Sequence, residues 1–288
     1  LLEKHVWGEF KELPFAGKSI PVSWPIPSSE SVDEGAASLA RFIERDVVPG
    51  LIIAHRTPQA KAQDLDSLAA DTIEEFTELV LAEEPPVLCA FIEDLHLNGA
   101  TFEALYLGLL AGTAKRLGEY WETDRVDFTS VTIGLWRLQQ VLRSFSPVFQ
   151  IEGAKPANGH RALLLSTPGE QHNFGLAMLG EFLFRDGWSV AGGPGLKTSE
   201  VSDLVHSQSF SIVGLSLSSE DRMDSLISII RLIRRASRNR NIAVMVGGPL
   251  FVRRPELVAT VGADATAPDA RQGAARAELL VANLSRPF

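Results

Sequence analysis

The sequence predicts a helical domain followed by an α/β domain built on a parallel sheet, and two patterns carry that prediction. From Asp33 to Ile151 apolar residues recur at helical spacing, whereas beyond residue 160 short apolar runs alternate with amphipathic helical stretches. Between the two, Pro156 to His160, with Asn158-Gly159 inside it, has the composition of a linker. A chain of 288 residues that is 45% hydrophobic has enough apolar material for two modest cores.

Residues 1–32 carry Pro14, Pro21, Pro25 and Pro27 without helical period and are expected to form an extended arm. Its aromatics, Trp7, Phe10, Phe15 and Trp24, suit packing along a domain. The helical domain is expected over residues 33–151. Its first segment runs from Ala36 to Val48, breaks at Pro49-Gly50 and continues through Leu51 to Arg56. A second covers Asp71 to Ala82 with Ile73, Phe76, Leu79 and Val80 inward. Pro86 starts a third that ends at Asn98-Gly99, since proline fits the first helical turn. A fourth spans Thr101 to Trp121, and a fifth Phe128 to Phe145 with Val131, Leu135, Leu138 and Leu142 on one stripe.

The second domain is expected over 160–288. Apolar runs at Ala162-Leu165, Trp188-Val190, Ser211-Ser216 and Ile242-Val246 read as strands, and Ala263-Asp264-Ala265 as a short last one. Helical stretches follow each of them, the longest from Ser219 to Arg238 with Met223, Leu226, Ile227, Ile230 and Ile233 on one face. Five strand-helix units predict a Rossmann-like, doubly wound sheet of five parallel strands.

Composition narrows the function. A net charge of −9 argues against broad nucleic-acid binding. A single cysteine, Cys89, rules out an internal disulfide; it falls on an apolar helix face and reads as a core thiol, which suits a reducing cytoplasm. No apolar run reaches the ~20 residues that span a bilayer, and the first residues do not resemble a secretory signal, so a cytoplasmic protein without membrane contact is expected. Ser-His-Asp sets, phosphate loops, cysteine-rich metal sites and paired catalytic carboxylates are not evident, and independent catalysis is not expected.

The chemistry concentrates in Ser166-Thr167-Pro168-Gly169-Glu170-Gln171-His172-Asn173-Phe174-Gly175. This stretch leaves the first strand at its carboxyl end, the edge where open α/β sheets bind ligands. A neutral imidazole is a strong metal ligand, and a carboxylate two residues away can take the other ring N–H and fix the tautomer. Gly175 allows a bulky flat ligand close to the helix backbone. Taken alone, the hexapeptide also fits a plain surface histidine in a helix-start loop.

Two further strand-end loops carry marked residues. The order Glu170-x-His172-x-x-Gly175, Ser216-Leu217-Ser218, Gly247-Gly248 resembles the Asp-x-His-x-x-Gly, Ser-x-Leu/Thr and Gly-Gly signature of cobalamin-binding domains. The resemblance implies a nucleotide tail seated beside the sheet and His172 as lower ligand to cobalt. Contacts would come from Glu170, Gln171, Asn173 and Gly175 on the first loop, Ser216 and Ser218 on the second, and Gly247 and Gly248 on the third. Glu170 stands where the family has Asp, and Ser218 where it has Leu or Thr.

The helical domain adds to this. Arg116-Leu117-Gly118-Glu119-Tyr120-Trp121-Glu122, followed by Asp127 to Thr132, is similar to the cap of methionine synthases and light-sensing cobalamin regulators, with Trp121 as the cap tryptophan. Those regulators carry a Glu-His pair where this chain has Val131 and Thr132. The segment Ala40 to Pro49, together with the cap and the His172 domain, resembles the AerR/PpaA antirepressors of purple photosynthetic bacteria. That likeness implies a light-responsive cobalamin protein, holding adenosyl-, methyl- or hydroxocobalamin, that binds a photosynthesis-gene repressor of the CrtJ/PpsR type. No helix-turn-helix with a basic recognition helix is evident, so direct DNA binding is not expected. Two alternatives share the fold: a corrinoid methyl carrier of a methyltransferase, and a haem-binding redox sensor.

Charge is unevenly spread. Ala62 to Ala114 holds no Lys or Arg and many acidic residues, a block able to steer a basic partner. Arg231, Arg234, Arg235, Arg238 and Arg240 form a basic cluster, expected to be a solvated helix face, with a partner or the acidic block as its other possible contact.

Overall fold

The computed structural model describes residues 70–284, apart from Gln171 and Pro194, all within a compact unit spanning Pro58–Phe288. The expected arm, the helices over Ala36 to Arg56, the Ala40–Pro49 segment and the last four residues lie outside the described residues.

The helical part holds α1 (Ala70–Ala82), α2 (Pro85–Leu97), α3 (Phe102–Ala104), a π-helical segment (Leu105–Leu110), α4 (Ala111–Glu122) and α5 (Phe128–Ile151). Thr101 Oγ1 accepts from Ala104 N and Asp127 accepts from Ser130 N, so both longer runs begin at a side-chain cap. The π turn interrupts what the sequence predicts as one α-helix. With it, the neighbouring pairs Leu105-Tyr106 and Leu109-Leu110 are all buried. The predicted stripe on α5 faces the core, and Cys89 packs partly buried against it; burial is what chiefly raises the thiol pKa.

Helix α5 runs past its predicted end at Phe145 and through Pro147 to Ile151. A proline inside a helix costs ~3 kcal/mol or more. Packing offsets this: Phe149 is fully buried, stacks on Tyr106 at 4.1 Å and meets Phe182 edge-on at 5.0 Å. Such burial contributes ~1.5–3 kcal/mol for one large apolar side chain.

The α/β part contains β1 (Arg161–Ser166), α6 (Phe174–Arg185), β2 (Ser189–Gly193), α7 (Thr198–Ser207), β3 (Ile212–Ser216), α8 (Met223–Ala236), β4 (Ala243–Gly247), α9 (Pro249–Arg253), α10 (Leu257–Val261) and α11 (Ala270–Leu284). The strands are parallel in the order β2-β1-β3-β4. Helices α6 and α11 and the helical part share a core with Ala162, Leu164, Ile212 and Met245. On the other face Leu163, Leu165, Val213 and Leu215 meet α7 and α8 through Val205, Leu226, Ile230 and Ile233.

Among the described residues the sheet has four strands, not the predicted five. Ala265 makes only a single parallel bridge to Met245. Asp264 N donates to Val244 O at 2.8 Å and Val246 N to Ala265 O at 3.0 Å, but Val244 N donates to the Asp264 side chain, Oδ2 at 2.6 Å. A carboxylate thus takes the place of a main-chain acceptor. Gly262, in a left-handed turn, and Pro268 leave too short a run between them for a strand.

Candidate functional site

Register brings the three marked loops together. Ser166 lies opposite Ser216, and Ser216 opposite Gly247, so the last residues of β1, β3 and β4 form one row at the carboxyl edge. From this row Thr167 reaches across to β3. Its N–H and hydroxyl both donate to Ser216 O, at 3.2 and 2.7 Å. Ser216 Oγ in turn donates to His172 O at 2.9 Å, pinning the loop backbone.

Glu170 is the hub of the loop. Its side chain is 1% exposed, yet one oxygen receives His172 N at 3.0 Å and meets His172 Nδ1 at 2.6 Å. The other receives Ser218 N at 2.8 Å and Ser218 Oγ at 2.6 Å. Burial alone would raise this carboxyl's pKa; the hydrogen bonds from His172 and Ser218 outweigh it and hold the group well below the usual carboxylate range. His172 moves upward, chiefly through its bond to Glu170 and against partial desolvation and the charge of Arg222. The two departures from the family pattern therefore belong together. The extra methylene of Glu170 spans from β1 to the β3 loop, and Ser218 supplies a hydroxyl that leucine lacks.

With Nδ1 engaged and the side chain 58% exposed, Nε2 is the ring nitrogen left for a metal. Among the described residues no group of three or more His, Cys, Asp or Glu side chains could hold a bare metal ion. One imidazole with one carboxylate behind it suits an axial position on a metal already held in a macrocycle.

The surroundings leave room for such a group. A Cβ added at Gly175 or Gly247 meets no atom within 4 Å. Ser166 Oγ and Thr266 Oγ1 are buried without a hydrogen-bond partner, and both follow the carboxyl ends of their chain segments in the sheet. These are orphaned polar atoms of the kind a ligand satisfies. Gly248 differs. It sits at φ +100°, and a Cβ there would lie 2.5 Å from Leu217 O, so even alanine strains the backbone. A bulky residue at Gly248 is therefore not accommodated with the fold intact; the open position is Gly247.

Asn173 was expected as a cofactor contact, and its Oδ1 accepts from Gln139 Nε2 of α5 at 2.6 Å. Gln139 shares a helix face with Phe128, Thr132 and Trp136. Phe128 is 56% and Trp136 40% exposed, which leaves aromatic surface on this face of α5, with Trp136 one turn from Gln139. Trp136 and Gln139 escaped the sequence reading because they lie off the buried stripe; an aromatic on the polar side of an amphipathic helix was the available signal. Trp121 stands 49% exposed on the last turn of α4, outside the hydrogen-bonded cluster around Glu170. Gln171 lies outside the described residues.

Two charge features settle differently from each other. In the acidic block, Glu74 pairs with Arg116 and Arg125, Glu84 with Arg137, and Glu103 with Arg185 and Arg271. In the basic cluster Arg234 pairs with Asp264, and Arg231, Arg235, Arg238 and Arg240 are exposed without a carboxylate partner among the described residues. The cluster does not meet the acidic block there.

Residues 160–275 match the B12 binding domain family. A Rhodobacter capsulatus relative, named as an uncharacterized 20.5 kDa protein in the bchF-crtJ intergenic region, is 32% identical over 158 residues, 54% of this chain and 81% of the relative. The chain belongs to one family with that Rhodobacter capsulatus protein, and its residues 160–275 are a B12-binding domain. Among solved structures, the Methanosarcina barkeri monomethylamine corrinoid protein superposes with a TM-score of 0.62 at 13% identity, over 73% of this chain and 98% of that one, a likeness of fold. The cofactor that the B12-binding family implies fits the residues present: an anchored imidazole with one free nitrogen, an open edge at Gly175 and Gly247, and unpartnered hydroxyls beside them. Among the described residues no helix is long and apolar enough to cross a membrane.

Proposed function

We propose that the chain is a cobalamin-binding sensor that relieves a photosynthesis-gene repressor of the CrtJ/PpsR type by binding that repressor rather than DNA. The observation that carries the cobalamin part is the bond between Glu170 and His172 Nδ1, which leaves Nε2 as the lower ligand to cobalt. The relative from the bchF-crtJ region supports the regulatory part. Bound cobalamin would supply a cobalt whose upper ligand can change with light. His172 would hold the cobalt, Glu170 and Ser218 would keep the imidazole oriented, and Ser166, Gly175, Ser216 and Gly247 would line the entrance of the tail. Domains follow the same division, a helical cap to residue 151 and a cobalamin domain from residue 160.

The cap residue tied to the loop is Gln139, with Trp136 one turn before it on the same helix face, and Trp121 is the further candidate. Val131 is buried and Thr132 Oγ1 donates to Phe128 O at 2.8 Å. Neither offers the charged pair that holds an adenosyl group in the light-sensing regulators, so the upper face is more open to exchange of ligand.

The test has two arms. Purified protein is titrated with hydroxocobalamin, and with haem as competitor; a spectrum with the tail base displaced and histidine coordinated is expected for cobalamin. The repressor is then titrated against protein carrying adenosylcobalamin in the dark, hydroxocobalamin, or no ligand. Affinity that changes with ligand state supports the sensor. Equal affinities together with methyl transfer in the presence of a methyltransferase would turn the assignment to a carrier.

A further inference from the structure

The sheet face under α6 and α11 contains a seam of missing side chains, and two leucines, Leu164 and Leu179, meet in it. Gly214 of β3 lies opposite Leu164 of β1 and Met245 of β4, two residues deeper along the strands than Ser166, Ser216 and Gly247. A Cβ added to Gly214 would stand 2.7 Å from Leu164 Cδ2 and 3.8 Å from Leu179 Cδ2. One added to Gly273 of α11 would stand 2.9 Å from Leu179 Cδ1. Leu179, on α6, therefore lies between the two glycines, tight against the Gly273 position and in ordinary contact with that of Gly214, whose own space Leu164 takes.

The two leucines differ in freedom. Leu164 is buried in a central strand, and its other methyl faces Gly180 of α6 at the position 3.6 Å from an added Cβ. Leu179 is only half-buried, on a helix, where a change of rotamer carries the side chain outward. At the mouth of the seam, two residues along β1 from Leu164 and on the same face, Ser166 Oγ has no partner. An empty seam would lose the contacts of all its lining atoms; a leucine that fills it and can leave resolves that conflict between the free and loaded protein.

We infer that Leu179 is the plug of the nucleotide-tail slot: it fills the seam between Gly214 and Gly273 in the free protein and swings out when the tail enters. The inference rests on the cobalamin reading and deepens it, because it makes Leu179 a residue that distinguishes a corrinoid with a nucleotide tail from one without. The tail must displace Leu179, whereas coordination of cobalt by His172 does not involve it.

Cobinamide, the corrinoid that lacks the nucleotide tail, separates the two effects. Hydroxocobalamin and cobinamide are titrated spectroscopically against the full chain and against Leu179→Ala, Leu179→Phe and Gly273→Ala, each checked for a native thermal transition. Leu179→Ala is expected to bind cobalamin faster and several-fold tighter. Leu179→Phe, which fills the seam with a ring, should weaken it about tenfold, equivalent to ~1.4 kcal/mol. Gly273→Ala, whose added Cβ takes up part of the seam against Leu179 Cδ1, should weaken it in the same direction. Cobinamide binding should not move in any of them. Variants that shift both ligands together, or neither, overturn the role of Leu179 while leaving the cofactor assignment in place. A parent chain that binds neither corrinoid overturns the cofactor assignment and this inference with it.

Discussion

Gln139 Nε2 donates to Asn173 Oδ1 at 2.6 Å, so the middle of α5 is fastened to the residue that follows His172. A change at the metal side of the loop has a direct mechanical path to the helical part, and Phe128 and Trp136 lie on the same helix face.

Gln139→Leu keeps the bulk and removes this tie. The spectrum of bound cobalamin should stay that of the parent, and thermal stability should fall by no more than ~0.5–1.5 kcal/mol, the net worth of one hydrogen bond. Repressor affinity should lose its dependence on the ligand state, a coupling typically worth ~1–3 kcal/mol. Titrating the repressor at two ligand states reads this directly, and an undiminished difference would show that the signal takes another route.

Acid should strip cobalt from His172. Proton and metal compete for Nε2, so coordination weakens as pH falls below the histidine's pKa, by up to about tenfold per unit in the free protein. Glu170 raises that pKa above the ordinary imidazole value, so the loss begins at higher pH than for an isolated histidine. Glu170→Gln removes the cause. The acid midpoint should move down, while affinity at neutral pH falls ~10–100-fold because the imidazole loses its orienting partner. His172→Ala should abolish the histidine-coordinated spectrum at every pH. An unchanged spectrum in that variant would place the lower ligand elsewhere.

The two adjacent glycines should separate fold from binding. Gly247→Phe projects into open space and should melt near the parent temperature yet bind cobalamin at least about tenfold more weakly, a loss of ~1.4 kcal/mol. Gly248→Ala forces a Cβ against Leu217 O at positive φ and should destabilise the fold by more than ~1 kcal/mol. Thermal melts and cobalamin titrations on both variants check this, and the reverse pattern would contradict it.

Glu181 lies buried between α5 and α6, accepting from Ser146 Oγ at 2.7 Å and Gln150 Nε2 at 2.9 Å. Burial raises its pKa, the two hydrogen bonds opposing. A carboxyl whose folded pKa lies above its unfolded value, ~4.3, leaves stability intact below that value and erodes it as pH rises through the folded one. Glu181→Gln keeps an acceptor for Ser146 and loses the charge. It should be neutral or stabilising at pH 7, with the gap from the parent closing as pH is lowered toward 4. Denaturant melts across that range measure it, and a gap that widens on acidification would reverse the assignment.

The site was legible in the chain wherever its chemistry is local. Glu170 and His172 lie two residues apart on one loop, so their pairing needs no distant partner to be foreseen. Ser216 and Gly247 end apolar runs, which marks them as edge residues once the runs pair in parallel. The difference between Gly247 and Gly248 was not legible, because nothing in a Gly-Gly pair tells which residue holds the positive φ and which faces open space. Pro147 and Ala263-Asp264-Ala265 misled for a related reason: a helix continues through proline when aromatic packing outweighs the local cost, and a strand fails to form when a side-chain carboxylate takes over its hydrogen bonds.

The sequence by itself determined the order of elements, the two hydrophobic periods and the pairing of Glu170 with His172 on one loop, because each depends on residues a few positions apart. Only the tertiary structure decided that Gln139 reaches Asn173, that Ser218 completes the Glu170 hub, and that Leu179 lies between Gly214 and Gly273. These contacts join residues 34 to 94 positions apart in the chain. Distances of that kind are set by how α5, α6, α11 and the sheet pack on one another, and packing optimises volume and polar satisfaction over all elements at once rather than along any one of them.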